Sequence, residues 1–299
     1  TLDLFEPTED SNLKLELAQG WNWISHNLNT DLNVAKVQTH AARILGQEEE
    51  TIKDATLGFV GDLTELKPTL GYKIQMDDNE TIALEGKLFN ASYKSIGLVT
   101  GWNWIGYPLA HTMEIAQALE NFTPVEGDYI IGQEGFTQYS GSEWIGTLST
   151  LKPGLGYLYK SGSTQQIFFN STAALSSRVE TKRRGTANNN PWSCDMRKYP
   201  NVMAVTACLY NGDIMENAED YYIAAFCGDE CRGVGQIVKG RIMMNIYGDR
   251  NEAITFRVID KATEQLMDIA GNIEFRADVL GSLIPKTRKS RELKRRQKK

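Results

Sequence analysis

The sequence of 299 residues predicts a mainly β protein, a β-rich α+β chain. It reads as two tandem β-rich repeat modules, each with one short helix, followed by a separate β-sandwich. Three observations carry that prediction. Four motifs recur in the same order, a polar interval follows the second copy, and short strand patterns at roughly ten-residue spacing come after it without helical periodicity.

The duplication decides the architecture. Gly20-Trp21-Asn22-Trp23-Ile24 recurs as Gly101-Trp102-Asn103-Trp104-Ile105, an offset of 81. Gly46-Gln47-Glu48 recurs as Gly132-Gln133-Glu134 at 86, and Leu66-Lys67-Pro68 with Leu70-Gly71-Tyr72 recurs as Leu151-Lys152-Pro153 with Leu155-Gly156-Tyr157 at 85. Each copy reads in order as a strand holding the two Trp residues on one face, then a short helix. In the second copy Thr112 is the predicted N-cap, with Ile115, Leu119 and Phe122 on one stripe. In the first copy Val34, Val37 and Ala41 follow Asp31. A strand into the Gly-Gln-Glu turn comes next, then a short aromatic strand at Phe59-Val60 or Trp144-Ile145. The Lys-Pro segment marks a turn. Two closing strands lie near 72–76 and 81–84, and near 157–160 and 165–169, joined by polar hairpin connections.

The predicted boundaries are an N-terminal segment at 1–12, repeat modules at 13–90 and 91–172, a polar linker at 173–192, the sandwich at 193–285 and a basic tail at 286–299. Six strands are expected in the last domain, beginning near residues 203, 221, 234, 241, 253 and 271, between Asn-Gly-Asp, Gly-Asp-Glu and Gly-Asp-Arg turns. The tail carries nine Lys or Arg and one Glu and is expected to be disordered. It masks an acidic body, with 23 basic against 37 acidic residues. No nucleic-acid partner is therefore expected for the folded body.

Composition excludes other classes. With 41% hydrophobic and 23% charged residues the chain has the make-up of a folded soluble protein. No apolar run reaches the roughly 20 residues that cross a bilayer, so no membrane span is expected. The first residue is Thr1 and no basic-then-apolar leader follows, so the sequence reads as a processed or truncated product.

Chemistry is sparse. His26, His40 and His111 have no metal-ligand spacing, and no nucleophile elbow or phosphate loop occurs. Gly233-Val234-Gly235 reads as a strand turn, not a dinucleotide site. A carboxylate pair such as Glu134 with Glu143 is the one arrangement sequence leaves open to a glycosidase. No enzyme, cofactor or metal is expected. The repeated aromatics Trp21, Trp23, Tyr72, Trp102, Trp104 and Tyr157 read as structural anchors before sugar-stacking platforms. Trp144, with Tyr139 and Glu143 in a polar loop, is the candidate ligand-binding group, although core packing is the commoner role for such a Trp as well. Cys194, Cys208, Cys227 and Cys231 all fall in the last domain. Disulfides are the leading reading, with Cys227–Cys231 across the turn and Cys194–Cys208 as candidate pairs; four buried or free thiols are the alternative.

The Gly-Trp-Asn-Trp-Ile-Ser opening and the Leu-Lys-Pro-x-x-Gly-Tyr segment resemble repeat modules of exported surface proteins of Bacteroides-type bacteria. The stretch 224–235, with 254–257, 260–263, 275–278 and 280–282, resembles the module that accompanies them. The resemblance implies an immunoglobulin-like sandwich and an extracytoplasmic location, at the cell surface or secreted. It brings no reaction and no established ligand, and the basic tail departs from it. The expected function is a non-enzymatic interaction or adhesion protein with an unknown extracellular protein or glycan as partner. A carbohydrate-binding accessory module of a polysaccharide-utilisation system is the second reading.

Overall fold

The computed structural model describes residues 9–91, 94–170, 190–212, 214–249 and 251–277, and the backbone of strands at 280–283 and 286–287. Most of the predicted linker (171–189) and of the tail (288–299) lies outside these residues. The chain divides into two compact units, Thr1–Arg183 and Arg184–Lys299. The fold is mainly β, as its patterning predicts.

The first repeat runs β1 (Lys14–Leu17), β2 (Gly20–Ile24), β3 (Leu32–Asn33), β4 (Ala41–Leu45), β5 (Glu50–Asp54), β6 (Gly58–Gly61), β7 (Glu65–Leu66), β8 (Tyr72–Met76) and β9 (Glu80–Ala83). The second repeats it as β10 (Ile96–Leu98), β11 (Gly101–Gly106), β12 (Met113–Glu114), β13 (Tyr129–Ile131), β14 (Phe136–Tyr139), β15 (Trp144–Gly146), β16 (Thr150–Leu151), β17 (Gly156–Ser161) and β18 (Gln165–Ile167). Strand order is 2-8-4-5-6 in one and 11-17-13-14-15 in the other, so the two sheets have one topology.

The helices are shorter than their stripes predict. In the second repeat α1 spans only Ile115–Ala118, Leu119 ends it, and Glu114 rather than Thr112 precedes it. In the first repeat the counterpart is a single 3-10 turn, Val34–Val37, capped by Asn33, whose side chain accepts from the Ala35 N–H. Ala41 belongs to β4. Both segments begin directly after the short strands β3 and β12, which pair with β7 and β16.

Register explains the repeated motifs. Gly20 and Gly101 take positive φ at the turn into the Trp strand. Asn22 then reaches back, accepting from the Ala18 N–H at 3.1 Å and donating to the Ala18 oxygen at 2.7 Å. Asn103 repeats this on Val99, both at 2.8 Å. The hydroxyls of Tyr72 and Tyr157 accept from the N–H of Lys67 and Lys152, at 2.7 and 2.9 Å, folding the Lys-Pro turn onto its own Tyr. Both Tyr rings are core.

The four Trp residues of the Trp-Asn-Trp strands belong to neither repeat's core cluster, although Trp21 and Trp23 are buried. Ile24, Tyr72, Ile74 and Met76 fill the first core, so alternation turns Trp21, Trp23, Lys73 and Gln75 to the opposite face. That face meets the second repeat. Lys73 is buried between the rings of Trp23 (4.6 Å) and Trp104 (4.5 Å), one from each repeat.

The contacts across this boundary are reciprocal. β2 and β11 each pair with only one strand of their own sheet, leaving an open edge. Gln133 closes the first edge, accepting from the Trp23 N–H at 3.1 Å and donating to the Trp21 oxygen at 2.7 Å. Gln47 closes the second, accepting from the Trp104 N–H at 2.7 Å and donating to the Trp102 oxygen at 3.1 Å. Bridges join Ile24 to Leu155 and Leu70 to Ile105. At the centre Gly71 and Gly156 pass so closely that an added Cβ would stand 2.7 Å from the Ile105 oxygen or 2.6 Å from the Ile24 oxygen. This is the geometry of an isologous dimer made within one chain.

The repeat boundaries shift slightly. Residues 9–12 are part of the first repeat, with Asp10 bridged to Lys87 and the Ser11 hydroxyl donating to Asn27 at 2.7 Å. Phe89 and Ala91 already pack in the second core.

The last unit runs β19 (Asn201–Ala207), β20 (Tyr210–Asn211), β21 (Ile214–Met215), β22 (Tyr221–Cys227), β23 (Glu230–Val234), β24 (Gln236–Val238), β25 (Arg241–Gly248), β26 (Ala253–Asp260), β27 (Leu266–Asp268), β28 (Ile273–Glu274), β29 (Leu280–Leu283) and β30 (Lys286–Thr287). Sheets of order 24-25-19-29 and 23-22-26-27 share one core of residues such as Val205, Ile223, Met244 and Phe256. The chain changes sheet at Gly235, between β23 and β24, where the predicted strand 234–239 is therefore split. The predicted tail loses its first two residues to β30, which pairs in parallel with β20. Residues 190–192, expected in the linker, include Trp192, whose ring stands edge-on to Phe226 at 5.6 Å.

Two tests follow from the repeat pair. Gly71→Ala or Gly156→Ala forces the backbones apart and lowers unfolding stability by about 1–3 kcal/mol in urea titration, the scale of overpacking; an unchanged midpoint contradicts the close approach. His26 is buried, with Nε2 on the Leu66 oxygen at 2.7 Å and Nδ1 facing the Leu28 N–H at 3.3 Å. Its neutral ring fits both partners, and burial lowers its pKa below 6.5. Its contribution to stability is complete above the unfolded value and is lost as pH falls through the folded one. The urea midpoint of the repeat unit falls below pH 6.5, and His26→Gln removes that step.

Candidate functional site

The outer edge of the second sheet carries the site. β15 lies four strands from the interface strand β11 and pairs with β14 so that Trp144 stands opposite Tyr139. Their rings are 5.3 Å apart and tilted. The connecting turn is held internally: the Ser140 N–H and hydroxyl donate to the Glu143 oxygen at 2.9 and 3.0 Å, with Gly141 at positive φ.

Behind Trp144 stands Tyr159, edge-on at 6.3 Å and itself edge-on to Phe122 at 5.9 Å. The Tyr159 hydroxyl donates to buried Asp128 at 2.8 Å, and Asp128 also accepts from the N–H of Gly162 (2.7 Å) and Val125 (3.0 Å). Burial, the hydrogen bond and the adjacent carboxylate all raise the Tyr159 pKa, in that order, so the phenol stays protonated and donating. The result is a row of rings supported from the core.

This row forms one wall of an open cleft of about 490 Å³. Tyr139, Trp144, Phe122, Leu119 and Leu148 supply its apolar surface, and Glu114, Glu120 and Glu143 its charge. Among the described residues no Lys or Arg lines it. Glu120 accepts from the Asn170 amide at 2.6 Å, which fixes one carboxylate at the rim.

The predicted ligand residues Tyr139, Glu143 and Trp144 thus come together. Sequence reading missed Glu114, Glu120 and Phe122, which enter from the α1 region; the stripe of α1 marked the apolar ones as core only. Glu134 does not join Glu143 in the cleft. It sits on the Gly-Gln-Glu turn, ion-paired to Lys152 at 3.5 Å. Trp21 and Trp23 are buried, and Trp102 and Trp104 half-buried, on the face toward the other repeat. His111 is exposed, and its carbonyl accepts from the Tyr107 hydroxyl at 2.8 Å. Among the described residues no group of three His, Cys, Asp or Glu could hold a metal ion, and no helix is long and apolar enough to cross a membrane.

The first repeat lacks this wall. By register Lys53 and Phe59 occupy the places of Tyr139 and Trp144, one polar and one half-buried.

The expected disulfides are not the ones this structure prepares. All four cysteines are free thiols. In the β22–β23 hairpin Cys227 stands opposite Glu230 and Cys231 opposite Phe226, so the two thiols project from opposite faces. Cys227 packs toward the core.

No protein-family model matches the chain, and no curated protein matches it. Among solved structures the chain is similar to a γ-CGTase from the alkalophilic Bacillus clarkii, at 8% identity and a TM-score of 0.20. The match covers 95% of this chain and 37% of that one, so this chain spans little more than a third of its length. A likeness at this level bears on neither fold nor function.

The buttress is testable by itself. Tyr159→Phe removes one of three donors to buried Asp128 and lowers unfolding stability by about 1–3 kcal/mol. A loss under about 0.5 kcal/mol, the size of an ordinary surface change, would show that the phenol does not support the wall.

Proposed function

We propose that this chain is a non-enzymatic interaction protein of the bacterial surface or secreted space, and that the cleft on its second repeat is the recognition site. The supporting observation is asymmetry inside a duplication. Two copies of one scaffold differ at its outer edge, where one has Lys53 and Phe59 and the other the Tyr139–Trp144 pair over an open cleft. A purely structural role gives no reason to hold a large aromatic wall half-exposed to water.

The make-up of the cleft favours the carbohydrate-binding reading over a general adhesive one. Aromatic faces stack on the apolar faces of sugar rings, and fixed carboxylates accept hydrogen bonds from hydroxyls. With three Glu and no basic side chain among the described lining residues, a neutral or cationic ligand is favoured. Sulfated and uronic-acid polysaccharides are disfavoured.

The test is a glycan array on the full chain, with a panel of extracellular matrix and mucin proteins beside it. Binding to neutral or amino-sugar glycans is expected, weakened roughly tenfold or more by Trp144→Ala, as for a central aromatic contact, and unchanged by Phe59→Ala. Retention only of anionic glycans, or equal binding by Trp144→Ala, would reject the cleft. Binding confined to the protein panel and lost with Trp144→Ala would keep the cleft and replace the sugar.

A further inference from the structure

We propose that Cys194 and Cys231 are the redox pair of the last unit and form one disulfide that ties the segment 192–199 to the β22–β23 hairpin. Alternation along the strands sorts the four thiols. Ile223, Ala225 and Cys227 turn to the core, so Phe226 and its partner Cys231 face outward. Cys208 falls between the core residues Ala207 and Leu209, beyond β19 in the other sheet, and so points away from both.

The incoming chain covers the outward face. Trp192 packs on Phe226 at 5.6 Å, Cys194 follows two residues later, and Cys231 is among the groups that hold the Cys194 thiol above its ordinary value. The Cys231 thiol faces the Gly233 oxygen at 3.7 Å. The segment then rounds the free edge of β23. There the Tyr199 ring lies against the Arg232 guanidinium at 3.9 Å, the Tyr199 hydroxyl bonds Glu230 and Lys198 pairs with Glu230 at 2.7 Å. Both ends of the segment are therefore fixed against the residues that flank or oppose Cys231, with Cys194 between them.

The oxidant is a small-molecule or protein disulfide of an oxidising compartment. One thiolate of the pair attacks it and expels a thiolate. The second protein thiolate then attacks the mixed disulfide and expels the other. Two thiol protons are lost, two electrons pass to the oxidant, and it leaves as two thiols. Burial raises the Cys194 thiol to about 11, and Cys231 also lies above its ordinary value. Formation is consequently slow at neutral pH and quickens with alkalinity, the behaviour of a structural bond rather than a reactive switch.

The experiment incubates the reduced full chain with oxidised glutathione at mildly alkaline pH, then counts thiols and maps peptides under non-reducing conditions. Four titratable thiols should fall to two, with a single linkage joining Cys194 to Cys231. Cys194→Ser and Cys231→Ser should each abolish it, and Cys208→Ser and Cys227→Ser should retain it. The melting temperature should rise on oxidation and return with reductant, except in the first two variants. A linkage through Cys208 or Cys227, glutathione adducts without a protein crosslink, or four thiols persisting after prolonged oxidation would overturn the proposal.

Discussion

The repeat unit depends on how its two open sheet edges are closed. A Trp-Asn-Trp strand with one side unpaired presents N–H and carbonyl groups that water or another chain would otherwise satisfy. Here a single glutamine side chain, supplied by the sister repeat, makes both bonds on each edge. Because each repeat gives one glutamine and receives one, the contact is complete at two copies. Association of this kind closes on itself instead of propagating, unlike the head-to-tail stacking of solenoids. Two repeats form a finished body.

Within that symmetric frame a few positions break the symmetry, and they are informative. Lys73 faces Trp23 across the strand pair, while its counterpart Leu158 faces Trp104. One cation thus serves both indoles at a boundary where two would repel each other in a poorly hydrated space. At the outer edge the difference runs the other way, toward an aromatic pair in the second copy only. Positions that maintain the pairing are duplicated, and positions free of it have diverged.

Much of this was legible in the sequence because the signals are local. The duplicated motifs, the succession of the main strands along each repeat and the Tyr139–Glu143–Trp144 loop are all set by alternation and turn residues. What was not legible is set by partners distant in the chain. Large aromatics at matched positions read as core, and for Tyr72 and Tyr157 that is their place. Trp23 and Trp104 are instead used between the repeats, a surface that becomes visible only when the two sheets are set face to face. Gln47 and Gln133 likewise read as turn residues, since their role needs a strand 55 to 112 residues away. The candidate pair Cys227–Cys231 meets a related obstacle. Close spacing at Cys227 and Cys231 suggested a bond, but a two-residue turn puts those positions in different pairs of the ladder, and ladder neighbours alternate in face.

The same register logic separates stability from recognition. In the order 11-17-13-14-15 the strand that meets the sister repeat and the strand that carries Trp144 occupy opposite edges. Four strand spacings of about 4.8 Å place them roughly 19 Å apart. Tyr159, which backs Trp144, stands on β17 opposite Asn103 of β11, so the two edges are linked through that one strand. The aromatic wall is anchored to its own core through the ring of Tyr159 and through Asp128. The outer edge could change its side chains without disturbing the reciprocal clamp, which is the condition under which one copy of a duplicated scaffold can acquire a ligand site while the other remains a support.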